Sequence, residues 1–363
     1  MAFLRVSVNR LRKGMVIASD VYANTGVILV PAGTTVTKEV IHLLTRHFVE
    51  TVMVEYIVEK KDPSVEVQEE PVREEEHKIS EEEHRIFQEK FRVAEDSIAH
   101  TLMAVVNGDQ EIEVATLLDT INDVIAKSDG ETGLISMLMR MKQTSASLYQ
   151  HAMNVAMFGQ ILARWMRCSK EEIELVAVAG LLHDIGLTNL SKERRLIFSP
   201  KTALENEDKG RHAIDGFNLI KSQNIDGRVK QAVLTHHERL DGSGYPLQAM
   251  FSDINRISRI IAIADVYDLL TMKENGQEAL SVFSALGKME NMGDNKLDSQ
   301  MLMRFMTNIA ESMIQHQVLL NTGQIGKVIM VDKYNVSRPL VQVENTFIDM
   351  AKVKDIYIKE VLD

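Results

Sequence analysis

The chain of 363 residues has one cysteine, Cys168, so no internal disulfide framework holds it, and a reducing, cytoplasmic setting fits best. Aromatic residues make up only 5% of it, against 20 methionines, which points to adaptable aliphatic packing between helices. Cations are in deficit: 41 Lys and Arg face 52 Asp and Glu, a net charge of −11. Such a surface repels nucleic-acid backbones and anionic membranes and excludes both as general partners. No apolar run approaches the roughly 20 residues that span a bilayer. The opening MAFLRVSVNRLRKGM lacks the apolar core of a signal peptide.

What is present divides the chain by pattern. Residues 1–58 read as a small β-rich module, with β-branched runs punctuated by Asn24-Thr25-Gly26 and Pro31-Ala32-Gly33. Between them TKEVIHLLTRHF has helical spacing, with Thr37 as its N-cap. Residues 59–85 hold two prolines and many carboxylates and read as an acidic linker. Ser80 and Glu83 have capping-box spacing for a following helix. Residues 86–318 are helical in pattern, with a core domain from about 130. A second capping box, Ser169 and Glu172, opens the helix that ends at His183-Asp184, and Gly186 sits where a helix stop belongs. DINRISRIIAIADVYDLLTM reads as a helix apolar along one broad face. Residues 319–363 form a short β tail, with turns at Asn321-Thr322-Gly323 and Ser337-Arg338-Pro339. The fold class is therefore mainly α, flanked by β-rich ends.

Five histidines of the helical part stand out: His151, His183, His212, His236 and His237. Asp184 adjoins one of them, and Asp265 interrupts an apolar helical run. A buried carboxylate without a partner costs several kcal/mol. Singly, each group has an ordinary explanation: a hydrogen-bonded helix histidine, a helix-end pair facing the dipole, a salt-bridged Asp. Together they are best explained by a cation. Histidine and carboxylate ligands without thiolate favour iron or manganese over a structural zinc. An Asp between two ions can bridge them. His42, His47, His77, His84, His100 and His316 are scattered among charged neighbours and read as surface residues.

HDIG at 183–186, followed about fifty residues later by HHERLDGSGYP at 236–246, resembles the HD-GYP subgroup of the HD-domain metal-dependent phosphohydrolases. The resemblance covers roughly residues 130–318. It implies an all-helical domain holding divalent metals, commonly iron or manganese. It implies hydrolysis of cyclic di-GMP or a related cyclic dinucleotide in bacterial signalling. The metal ligands it implies are His151, His183, Asp184, His212, His236, His237 and Asp265, with Asp184 bridging two ions and His183 beside it at the catalytic centre. A hydroxide between the ions would attack phosphorus in line and displace the 3′ oxygen. Gly244, Tyr245 and Pro246, with Asp268 and Lys273, would contact substrate. The same loop makes diguanylate cyclase domains a further partner, and a homodimer is a candidate assembly.

Three positions depart from the subgroup's fuller pattern. Leu187 stands where many members have lysine near the substrate phosphate, Ser147 where three-metal members have a glutamate ligand, and Glu274 near an arginine position. Two metals and pGpG as the main product, rather than GMP, are therefore expected. Leu187 and Glu274 also keep open an alternative, a weakly active metal-containing receptor or cyclase-docking module.

Overall fold

The structure is a computed structural model that describes residues 2–7, 11, 15–22, 28–37, 40–41, 43–44, 51–56, 81–141, 147–189, 210–273, 279–292 and 296–362. Contacts divide the chain into two compact units, 1–76 and 77–363.

The first unit is β-rich, as its pattern predicts. Strands β1 (Ala2–Ser7), β2 (Val16–Ile17) and β5 (Thr51–Tyr56) form an antiparallel sheet in the order β1-β5-β2. Strands β3 (Val21–Tyr22) and β4 (Ile28–Val30) form a second ribbon. Val52 and Val54, two apart on β5, point inward to Ile17, Val30 and Leu44, the period-2 burial a half-covered strand requires. Thr37 accepts a hydrogen bond from the Val40 backbone N–H at 3.4 Å, as an N-cap should, and residues 40–41 and 43–44 are helical. The turn at Asn24-Thr25-Gly26, most of the acidic linker, the box at Ser80, and His42, His47 and His77 lie outside the described residues.

The second unit opens with α1 (Glu81–Asn107), which starts five residues before the expected boundary. Three glutamates in its first turn favour the positive end of the helix dipole. Its buried residues, His84, Phe87, Phe91, Ala94, Ile98, Leu102 and Val105, fall three or four apart on one stripe. This corrects the surface reading of His84. It lies on the stripe, is only 8% exposed, and pairs with the Gln88 side chain at 2.9 Å. His100 is exposed and His316 half-buried.

Helices α2 (Val114–Ile125), α3 (Gly130–Met141), α4 (Leu148–Trp165), α5 (Lys170–Leu182), α6 (Arg211–Ile220), α7 (Gly227–Thr235), α8 (Arg256–Thr271), α9 (Val282–Glu290) and α10 (Ser299–Ser312) follow. The Ser169/Glu172 box caps α5 with both of its hydrogen bonds. Helix α8 is buried on nearly every side rather than along one face. A helix apolar all round belongs at the centre of its unit, so α4 and α8 form the core on which the site is built. The α4–α5 crossing is close: a methyl at Gly180 would fall 2.5 Å from Ala156 Cα.

Gly186 is not a helix stop in the left-handed region. It lies in a short 3-10 turn, Ile185–Asn189, pressed against α6, where a methyl would fall 2.0 Å from the His212 carbonyl oxygen and 2.7 Å from the Gly216 nitrogen. The residue is there because only a hydrogen fits. Gly186→Ala should destabilise the unit by about 3 kcal/mol and displace His212. Chemical denaturation and metal content check this together, and a variant that matches the parent in both would refute the tight approach.

The chain ends in a five-stranded antiparallel sheet, order β10-β6-β7-β8-β9, built from β6 (Gln317–Leu320), β7 (Ile325–Asp332), β8 (Asn335–Val343), β9 (Thr346–Asp349) and β10 (Ile358–Val361). Val318, Val328, Val336 and Val341 join the helical core. Gly323 sits in the expected turn with φ +85°. Ser337-Arg338-Pro339 makes no turn. These residues lie inside β8, and the reversal falls at Lys333-Tyr334. The β7–β8 register shifts between Met330 and Asp332, and such an irregularity tolerates Pro339, which has no N–H to give. No helix among the described residues is long and apolar enough to cross a membrane.

Candidate metal centre

All seven histidines and aspartates expected as ligands meet at one place. His151 comes from α4, His183-Asp184 from the end of α5, His212 from α6, His236-His237 from the end of α7, and Asp265 from the middle of α8. They form two adjoining groups. Asp184, His212, His236 and His237 make one; His151, His183 and Asp265 make the other. Within each group the potential ligand atoms lie within 4.8 Å of one another, and every residue is buried.

Asp184 faces both groups with different oxygens. Its Oδ1 is 3.5 Å from His212 Nε2 and 3.6 Å from His236 Nε2. Its Oδ2 is 3.4 Å from His183 Nε2 and 3.7 Å from His151 Nε2. Asp265 does the same in its own way, with Oδ1 3.3 Å from His151 Nε2 and Oδ2 3.7 Å from His237 Nδ1. Ligand atoms about 2.1 Å from a shared ion stand roughly 3.0–3.5 Å apart, so these spacings are close to the edges of coordination polyhedra.

Three imidazoles have Nδ1 fixed as a hydrogen-bond donor. His183 Nδ1 donates to the Gly180 carbonyl at 2.8 Å and His236 Nδ1 to the Val233 carbonyl at 2.9 Å. His151 Nδ1 donates to Asp268 Oδ2 at 2.8 Å. Each then turns Nε2 toward the centre, the arrangement that readies an imidazole for a metal.

The electrostatics fit the same reading. Burial works against an ionised Asp184, but His183, His236 and His212 together outweigh it and hold the carboxyl well below its usual range. Burial opposes a charge on His151 too, yet Asp265 and Asp268 overcome it and raise its pKa to about 10. Burial pushes His212 down to about 4 and, with His236 beside it, His237 well below its usual range. Those two imidazoles keep a lone pair free at neutral pH. Asp184 Oδ1, His212 Nε2, His236 Nε2 and Asp265 Oδ2 are buried without a hydrogen-bond partner among the described residues. Buried polar atoms this costly to leave bare imply a cation between them. The donor set fits divalent metals.

The expected substrate-contacting residues are placed differently from one another. Asp268 is fully buried behind His151, with its second oxygen accepting from Asn154 Nδ2 at 3.1 Å, so in this structure it braces the His151 imidazole. Asn154 had no role in the sequence reading, although it lies three residues after His151 on one helix face. Tyr245 packs at a tilt against His237, ring centres 4.8 Å apart, and Gly244 and Pro246 flank it. Lys273 is exposed, two residues past the end of α8, and Glu274 lies outside the described residues. Leu187 is buried at 6% exposure, its N–H bonded to the Asp184 carbonyl at 2.9 Å. Ser147 caps α4, accepting from the Gln150 N–H at 3.0 Å and donating to the Glu95 carboxylate.

Two residues inside HHERLDGSGYP carry more than the sequence reading gave them. The buried Glu238 carboxylate accepts from the Leu247 N–H at 2.6 Å and the Ala249 N–H at 2.9 Å, pinning the loop that holds Tyr245. Arg239 Nη1 donates to the Glu238 carbonyl at 2.9 Å, within electrostatic reach of Asp265 and Tyr245. A carboxylate and a guanidinium directly after a histidine pair were the available signal.

Residues 135–301 match the HD domain family. A cyclic di-GMP phosphodiesterase of Pseudomonas aeruginosa is 26% identical over 238 residues, 64% of this chain and 56% of its own. A 3′3′-cGAMP-specific phosphodiesterase of Vibrio cholerae is 33% identical over 174 residues, 46% of this chain and 39% of its own. The chain thus spans about half the length of the curated relatives it matches. Among solved structures, an HDG"Y"P protein from Bdellovibrio bacteriovorus aligns with 84% of this chain and 98% of its own, at 13% identity and a TM-score of 0.42.

Proposed function

From the match of residues 135–301 to the HD domain family, we propose that this protein is a metal-dependent phosphodiesterase that opens cyclic dinucleotides, cyclic di-GMP first among them. The observation that carries the reading is Asp184, which offers one oxygen to each of two buried ligand groups. Two divalent ions, iron or manganese, would be held by His151, His183 and Asp265 on one side and His212, His236 and His237 on the other, with Asp184 between them. When bound, such ions polarise the phosphate and bring the pKa of water near neutrality. The chain's own part is to hold those ligands rigidly, through Asp268, Gly180 and Val233. Position 147 itself is a serine committed to capping α4 and supplies no carboxylate ligand for a third ion, which supports pGpG as the main product. The proposed substrate class and the single cysteine support a cytoplasmic setting.

The phosphate contact that Leu187 does not provide falls to Arg239, an anchored cation beside the cluster. Arg239→Gln should raise KM for cyclic di-GMP about ten- to a hundredfold, the value of a charge-assisted hydrogen bond, and leave metal content unchanged. An unchanged KM would remove Arg239 from substrate binding. Beyond Tyr245 and Pro246 the loop presents Leu247, Met250 and Phe251, each more than half exposed, which supports a diguanylate cyclase domain as a further partner. The direct test of the activity is product analysis with metal-loaded protein. Linear dinucleotide from cyclic di-GMP or 3′3′-cGAMP supports the reading; both substrates left intact overturns it in favour of a receptor.

A further inference from the structure

A cavity of about 540 Å3 opens between α9, the end of α8 and the C-terminal sheet. None of the seven cluster residues lines it. Its volume falls in the range of about 300–1,000 Å3 typical of small-molecule sites, which combine apolar walls with a few placed polar groups. Here Phe283 and Met292 supply apolar wall, and Lys288 and Arg338 supply positive charge in a protein whose net charge is −11.

Arg338 is held in place. Its Nη1 donates to the carbonyls of Ile356 at 3.2 Å, Val353 at 3.4 Å and Met350 at 3.5 Å, while Nε and Nη2 make no hydrogen bond among the described residues. A guanidinium anchored at one nitrogen and open at the others is set up for an anion with two oxygens. Lys288, on the last turn of α9, has no ion pair among the described residues. Glu290, which accepts from the Ser337 hydroxyl at 2.8 Å, is not among the residues that line the cavity. Leu270 of α8 forms part of the wall, two residues from Asp268 and five from Asp265.

We propose that this cavity binds a small amphipathic anion of the nucleoside monophosphate class, its phosphate against Arg338 and Lys288 and its base against Phe283 and Met292. Occupancy bears on the end of α8 and so on the helix that carries Asp265 and the support of His151. This regulatory half rests on the proposed phosphodiesterase; the binding half does not.

GMP titrated calorimetrically into the full chain stripped of metal tests the binding, with guanosine and inorganic phosphate as comparators. The expected result is saturable GMP binding, tighter than either comparator. Lys288→Glu, at an exposed position, should weaken it about tenfold or more. Gly287→Leu should abolish it by filling the cavity, since a Cβ there meets Ser337 at an ordinary 3.5 Å. Both variants should melt with the parent. In the metal-loaded protein GMP should change the rate of dinucleotide cleavage, and Gly287→Leu should remove that response. Absence of saturable binding, or binding equal in parent and both variants, overturns the site. GMP binding lost in the variants, in a protein that cleaves no dinucleotide, keeps the site and overturns the phosphodiesterase.

Discussion

Asp184→Asn is expected to lower cyclic dinucleotide turnover on the order of a thousandfold or more, as loss of several kcal/mol of metal-supplied stabilisation would. It should also lower the bound metal from two ions to one. The substitution keeps the shape of the side chain. It replaces one of two anionic oxygens with an NH2 group, which has no lone pair to give an ion. Because Oδ1 and Oδ2 face different histidine groups, the amide can serve only one of them. Metal analysis and product formation on the same preparation check both halves. A variant that keeps two ions and its rate would show that Asp184 bridges nothing.

The second large effect is on stability. Stripping the metal with a chelator should lower the melting temperature of the helical unit by about 10 °C. A ligand held at a thousand times its Kd contributes about 4 kcal/mol, and a domain of this size shifts roughly 2–4 °C per kcal/mol. The physical source is the set of buried lone pairs on Asp184, Asp265, His212 and His236, which have no other partner among the described residues. Without the cation, protons substitute in part: His151 with its pKa near 10 is the group placed to carry one. Adding back iron or manganese should restore the melting point, whereas magnesium, poorly matched to imidazole, should restore little of it. An unchanged melting temperature on chelation would mean that the cluster satisfies itself.

The seven cluster residues were legible because their chemistry conflicts with their surroundings. An imidazole and a carboxylate end an apolar helix at 183–184, and an aspartate interrupts Ile260–Ala264 and Val266 at position 265. Helix α8 illustrates where legibility stops. Asp265 and Asp268 are three residues apart and share a face, so spacing alone gives them similar surroundings. Only the packing of α4 against α8 puts Asp265 into the cluster and Asp268 behind His151. Gly186 was legible as a special position but not for the right reason, because the backbone that excludes a methyl arrives from α6, about thirty residues later. The turn read at Ser337–Pro339 failed for a similar reason: a register irregularity between neighbouring strands accommodates the proline. His84 was misread by composition, since its sequence neighbours Glu82 and Arg85 lie on the exposed side of α1 while His84 lies on the buried stripe. Local chemistry survived into the fold; roles set by a distant partner did not declare themselves.

Anomalous diffraction at the iron and manganese edges, from crystals of anaerobically purified protein, tests the central claim most directly. Two peaks are predicted, one among His151, His183 and Asp265 and one among His212, His236 and His237, both touching Asp184. One peak alone, or two peaks that leave Asp184 outside the coordination of either, would contradict it.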